Sequence, residues 1–271
     1  NKYLISFFKP SLIHSTYYND FKKKNTLPTV LTVYDLIHEK YSEMYSNQKD
    51  YLPKKNAIDN VDHIICISNN TKKDLIKYYN VEEKKITVIY LAASKNISKP
   101  ELKKKNYFLY VGNRKRYKNF KTLIKAFSNG NFYKDYYLYC LGGGPFLKEE
   151  IEFFLANKVP LERILHFDTK DEEKDKIYIS AKALIYPSVY EGFGLPILEA
   201  MSLGCPVISS NASCLPEVYG DAALSFDPYD YDVLQSKIYD LIHNENLSYE
   251  LIDKGFEQTK KFSWEKCAKE T

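Results

Sequence analysis

Short apolar runs of strand character recur along this chain, each followed by a stretch with helical spacing. A chain with that rhythm has few ways to fold. The runs "PTVLTVYDLI" (28–37), "HIICIS" (63–68) and "KITVIYLA" (85–92) bracket the helical "NTKKDLIKYY". Strands that are continuously apolar, rather than alternating, are covered on both faces, so the pattern predicts a parallel sheet layered with helices.

At 93–106, "ASKNISKPELKKKN", periodicity stops and prolines, asparagines and lysines take over. This break predicts a domain boundary, placed between 98 and 99, which gives domains 1–98 and 99–271. Beyond it the rhythm restarts. Strands are expected at 107–112, 136–142, 163–167, 182–188 and 205–210, with helices at 119–128, 145–158, 172–181 and 196–203. That describes a doubly wound Rossmann-type sheet, whose ligands sit beyond the carboxyl ends of the strands. The loops after Val111, Leu141, Phe167 and Pro187 therefore hold the candidate site.

Composition narrows the class. With 44% hydrophobic and 27% charged residues the chain is a folded protein, and no apolar run approaches the roughly 20 residues that span a bilayer. A net charge of +4, with lysines at 22–24, 54–55 and 103–105, suits anionic small molecules or peripheral contact with a membrane. Nothing points to nucleic acid. The five cysteines form no CxxC pair, which predicts free, mostly buried thiols and a cytoplasmic location, with peripheral contact at the inner face of the plasma membrane left open by the lysines. The chain opens at Asn1 and ends inside a helical pattern, as a fragment would.

The stretch "EGFGLPILE" places Glu191 and Glu199 around the start of a short helix. Pro196 suits the first helical turn and Gly204 the residue past its end. The N–H groups at Gly194 and Leu195 then face outward with the positive end of the helix dipole, which makes an anion site. Carboxylates are poor partners for phosphate and good acceptors for sugar hydroxyls. The pair is thus expected to grip hydroxyls on either side of a diphosphate, Glu199 a ribose and Glu191 another sugar. In the alternative, Glu199 only answers the helix dipole and Glu191 is a surface charge.

In "VGNRKRYKNF" (111–120), Arg114 and Lys118 are the candidate diphosphate cations, and Gly112 and Asn113 open the same loop. "LGGGPF" (141–146) lacks the GxGxxG spacing, so its glycines say only that the backbone passes close to a ligand or to other backbone. Asp230 and Asp232 spell a DxD in a turn before a helix, where capping explains them better than metal binding. No metal site is expected.

Together these motifs resemble the retaining glycosyltransferases of family four, which have the GT-B fold. "EGFGLPILE", with "YPSVY" before it and "AMSLGCPVISSNASCLPEV" after it, is similar to the family's E-x7-E signature. "YVGNRKRYKNF" resembles the diphosphate loop of bacterial surface-polysaccharide mannosyltransferases, and "TVYDLIHEKY", "ICISNNTKKDL" and "EKKITVIYLA" resemble the amino-terminal domain. The resemblance implies two Rossmann-like domains facing across a cleft, with 1–98 on the acceptor side and 99–271 binding the nucleotide sugar. It implies a metal-independent, retaining transfer of a hexose, mannose favoured, from a GDP- or UDP-sugar to a glycan or lipid-linked acceptor, without a further cofactor.

Carried over, Glu191, Arg114, Lys118 and His14 are the catalytic set, and Gly112, Asn113, Gly194, Leu195 and Glu199 bind the donor. His14 matches the family histidine near the donor sugar, while Tyr34 stands where relatives often carry histidine. The family's opening strand and glycine-rich loop have no counterpart here, which implies a truncated amino-terminal domain. A nucleotide-sugar 2-epimerase and a non-catalytic nucleotide-binding remnant are the alternatives.

Overall fold

Two units divide the chain, one of Asn1–Tyr90 with Cys267–Thr271, the other of Leu91–Lys266. The computed structural model describes residues 10–18, 27–44, 51–93, 104–169 and 171–271. The expected boundary between 98 and 99 and the lysines at 22–24 lie outside the described residues.

In the first unit, strands β1 (Ile13–Ser15), β2 (Thr29–Val33), β3 (His63–Cys66) and β4 (Ile86–Val88) form a parallel sheet in sequential order. Helices α1 (Ile37–Lys40), α2 (Tyr51–Asp59) and α3 (Asn69–Tyr79) intervene. The start of α3 is set by Ser68, whose side chain accepts from the Thr71 N–H, and its end by Asn80 at φ 53°. Leu31, Val33, Ile64, Cys66 and Leu75 make the core.

Two of the lysine clusters lose a member to acceptors within the protein, Lys54 fully buried and Lys104 half-buried. Lys54 is 4% exposed and pairs with Glu39 at 3.0 Å. Lys104 donates to the Ile179 and Gly204 carbonyls at 2.8 Å each, and burial lowers its pKa. Neither is a surface cation, because their acceptors compensate desolvation only inside the protein.

The second unit runs β5 (Tyr107–Val111), α4 (Phe120–Asn129), β6 (Tyr137–Leu141), α5 (Lys148–Ala156), β7 (Ile164–Phe167), α6 (Asp171–Ser180), β8 (Ala183–Tyr186), α7 (Leu195–Ser202), β9 (Val207–Ser210), α8 (Leu215–Tyr219) and β10 (Leu224–Phe226), followed by α9 (Tyr231–His243), α10 (Glu245–Thr259) and the first residues of α11 (Trp264–Glu270), whose residues from Cys267 on belong to the first unit. All six strands are parallel, in the order β10-β9-β8-β5-β6-β7. This is the strand order of a Rossmann sheet. Phe108, Tyr110, Phe127, Leu138 and Ile185 are buried in its core, at roughly 1.5–3 kcal/mol for each large apolar side chain.

Strands β1 and β10 escape the sequence reading because Ile-His-Ser and Leu-Ser-Phe interrupt their apolar residues with polar ones and make no continuous apolar run. Asp230 caps α9, accepting from the Asp232 and Val233 N–H groups at 3.1 and 2.9 Å.

Candidate functional site

Strand order decides where this unit can bind something. The chain leaves β5 toward β6 and leaves β8 toward β9, although β5 and β8 are neighbours. Their two following loops diverge and open a crevice at the switch point. Those loops are 112–119 and 187–194, and they are stitched together. The Val189 N–H donates to the Tyr117 carbonyl at 2.8 Å. The Asn119 amide donates to the Pro187 and Pro228 carbonyls at 3.0 and 2.6 Å.

Across this stitching Lys118 meets Glu191. The Lys118 Nζ lies 2.7 Å from Glu191 Oε1 and 3.3 Å from the Tyr186 hydroxyl, which itself donates to Glu191 Oε1 at 2.9 Å. Lys118 and Glu191 side chains are only 13% and 10% exposed. Burial, then the Glu191 charge, pushes the Tyr186 hydroxyl far above its ordinary pKa, so it remains a donor. Gly112 sits beside them at φ 115°, and a Cβ there would stand 3.9 Å from Lys118 Nζ. The structure thus brings Gly112, Lys118 and Glu191 together. Tyr186 and Asn119 were missed, although both lie inside the quoted motifs. Their functional signal is the position of a buried hydroxyl and of a left-handed amide, which no spacing encodes.

Arg114 is held within the second unit, its side chain 2% exposed and donating to protein acceptors. Nε donates to Glu150 Oε1 at 2.8 Å, one terminal nitrogen to the Gly142 carbonyl at 3.0 Å, and the other to the Gly144 carbonyl at 2.8 Å and Glu150 Oε2 at 3.2 Å. The guanidinium also stacks 4.7 Å from the Phe146 ring centroid. Burial opposes ionisation of Glu150, but the Arg114 bonds prevail and hold its carboxyl below the ordinary pKa. Arg114 is therefore a clamp on the triple-glycine loop. This also explains why glycine is needed at 143, where φ is +80° and a Cβ would lie 2.8 Å from the Gly112 carbonyl oxygen. Asn113 is exposed, and its carbonyl accepts from the Tyr110 hydroxyl at 2.5 Å.

At the other side of the crevice Gly194 caps α7 at φ 102°, and no side chain caps the helix. The Leu195 N–H is left at the positive helix end, since Pro196 has none and the Ile197 N–H donates to the Gly194 carbonyl at 3.0 Å. One turn on, Glu199 faces α6. Lys174 Nζ approaches its Oε1 at 2.9 Å, and the Tyr178 hydroxyl donates to its Oε2 at 2.8 Å. Glu199 is 30% exposed and Lys174 29%. Burial, then the Glu199 charge, keeps the Tyr178 hydroxyl protonated.

His14 belongs to the first unit, where it is exposed and its Nε2 lies 2.9 Å from the Thr32 hydroxyl. A cavity of about 510 Å³ lies between α4 and α5, lined by Arg114, Lys121, Glu149 and Phe153 among others. Lys115, Arg116 and Asn119 of the 112–119 loop also line it.

Residues 93–258 match the family described as glycosyl transferases group 1, and residues 2–93 match glycosyltransferase family 4. The chain belongs to this glycosyltransferase family. It is 31% identical over 230 residues to the O-antigen chain mannosyltransferase B of Escherichia coli, covering 79% of this chain and 60% of that protein. It is 31% identical over 247 residues to the O-antigen chain mannosyltransferase RfbU of Salmonella typhimurium, covering 87% of this chain and 66% of the relative. The chain thus spans less than two thirds of the length of either.

Among solved structures, sucrose-phosphate synthase from Thermosynechococcus elongatus superposes with a TM-score of 0.80 at 21% identity, over 99% of this chain and 74% of the other. HepE of Anabaena, solved with UDP and glucose, superposes with a TM-score of 0.80 at 15% identity, over 99% and 78%. These likenesses show the fold, which is GT-B, with two Rossmann-like domains.

No helix among the described residues is long and apolar enough to cross a membrane.

Proposed function

We propose that the chain carries the donor site of a retaining hexosyltransferase that moves mannose from GDP-mannose to a glycan or lipid-linked acceptor. One observation carries the reading: the Lys118–Glu191 pair, with Tyr186, lies at the switch point of the Rossmann sheet beside the uncapped start of α7. The two O-antigen mannosyltransferases support the choice of sugar and of a glycan acceptor.

In this reading the bound diphosphate takes its place between Lys118 and the start of α7. As the bond from the anomeric carbon to the diphosphate breaks, negative charge grows on the leaving phosphate and positive charge on the sugar. Lys118 and the helix end stabilise the first. Glu191, released from Lys118 on one side, accepts from donor-sugar hydroxyls and its charge supports the second. Glu199 accepts from the ribose diol, with Lys174 and Tyr178 fixing the carboxylate. The protein cation and the helix dipole do the work a metal would otherwise do. The acceptor hydroxyl attacks on the face the diphosphate leaves, and its proton passes to the departing phosphate oxygen.

The test is calorimetric titration with GDP, GDP-mannose, UDP and UDP-glucose, followed by transfer to a mannosyl glycan with the anomeric configuration of the product read by NMR. Binding of GDP-mannose and an α-linked product from the α-linked donor are expected. An inverted product, or binding of neither nucleotide, overturns the reading.

A further inference from the structure

The loop between β9 and α8 holds the backbone of the Glu191 loop at three points in a row. The Ser213 hydroxyl accepts from the Glu191 N–H at 2.9 Å. The Cys214 thiol lies 3.1 Å from the Glu191 carbonyl oxygen and 3.2 Å from that of Phe193, shared between the two. Leu215 packs so closely under Gly194 that a Cβ there would meet its Cδ2 at 2.8 Å. Residues 213, 214 and 215 thus take hold of 191, 193 and 194 in register.

Two features separate this hook from ordinary loop packing. Ser213 adopts φ 51°, a conformation that costs a non-glycine residue free energy and persists where the surroundings impose it. Cys214 is fully buried. Burial, then the Glu191 charge, holds its thiol well above the ordinary pKa, so the S–H donor survives across neutral pH. Lys118 and Tyr186 fix only the far end of the Glu191 side chain. The near end would be free to swing when a ligand draws Lys118 away, unless its peptide is anchored.

We propose that Ser213 and Cys214 are positioning residues that anchor the Glu191 peptide, so that its carboxylate keeps its aim at the donor sugar after Lys118 turns to the diphosphate. The proposal rests on the donor-site reading above and adds to it the device that holds Glu191 in place.

The experiment uses the full chain with Ser213→Gly, which keeps the left-handed backbone and removes the hydroxyl, Cys214→Ala, and Cys214→Ser, which keeps a donor. GDP affinity, kcat and KM for GDP-mannose, and the melting temperature are measured for each. Ser213→Gly and Cys214→Ala should bind GDP within about twofold of the parent and lose about tenfold or more in kcat, the size of one lost hydrogen bond. Cys214→Ser should recover most of that loss. In a Glu191→Gln background Ser213→Gly should add less than about twofold, since the group it positions is already disabled.

Parental kcat in Ser213→Gly and Cys214→Ala, with Glu191→Gln slow, overturns the positioning role and leaves the donor-site reading standing. Equal further losses in the Glu191→Gln background also overturn it, as they show general loop damage. If Glu191→Gln itself transfers at the parental rate, the donor-site reading of Glu191 falls, and this proposal with it.

Discussion

Glu191 and Glu199 sit eight residues apart and have the same kinds of partner, one lysine and one tyrosine each. Their surroundings differ. Glu191 lies in the loop after β8, 10% exposed, with Lys118 arriving from a neighbouring strand's loop. Glu199 lies one turn into α7, 30% exposed, with both partners on the single helix α6. A buried pair is held by the cost of leaving either charge alone, whereas a half-exposed pair is replaced by water with little loss. Under the proposed function the constellation does different work at the two places: a shielded pair at Glu191 that a ligand must open, and a more adjustable hydroxyl clamp at Glu199.

Cutting each lysine gives the largest contrast. Lys118→Ala should lower stability by about 3 kcal/mol, since it strands a buried carboxylate, and slow transfer by about a hundredfold. Lys174→Ala should cost less than about 1 kcal/mol. Urea unfolding of the two variants, with transfer assays beside it, reads both numbers; equal destabilisation would erase the distinction.

Next come the tyrosines. Tyr186→Phe should cost about 2 kcal/mol, because a fully buried hydroxyl bonded to a carboxylate is lost, and Tyr178→Phe about half as much, since Glu199 can recruit water. Thermal unfolding of both variants checks the order.

Glutamine substitution then sharpens the comparison at the level of ligands. Glu199→Gln should weaken GDP about tenfold, roughly the 1.4 kcal/mol of one charge-assisted hydrogen bond, while Glu191→Gln leaves GDP affinity unchanged and slows transfer of mannose. Calorimetry against product analysis separates them, and equal loss of GDP binding would merge the two roles into one.

The smallest effect is that of salt. Raising ionic strength toward 1 M should trim a few tenths of a kcal/mol from the Lys174–Glu199 coupling and less from Lys118–Glu191, as a shielded pair escapes screening. Double-mutant cycles at low and high salt measure the difference.

The sequence by itself determined the layered α/β character, the parallel strands and the helix that starts at Leu195. It did so because apolar runs covered on both faces, a proline in a first turn and a glycine just past a helix end act within a few residues of themselves. It also brought the two glutamates and Lys118 to notice. Tertiary structure alone decided what each cation does. Arg114 and Lys118 are four residues apart in one basic loop, and nothing local separates them. The first meets Glu150 and the Gly142 and Gly144 carbonyls, while the second meets Glu191 and Tyr186 at the switch point. The same holds for Lys54 and Lys104, read as surface charges and found bonded to acceptors inside the protein, the first buried and the second half-buried. The partners come from segments tens of residues away, so only the strand order, which sets the loops side by side, could select them.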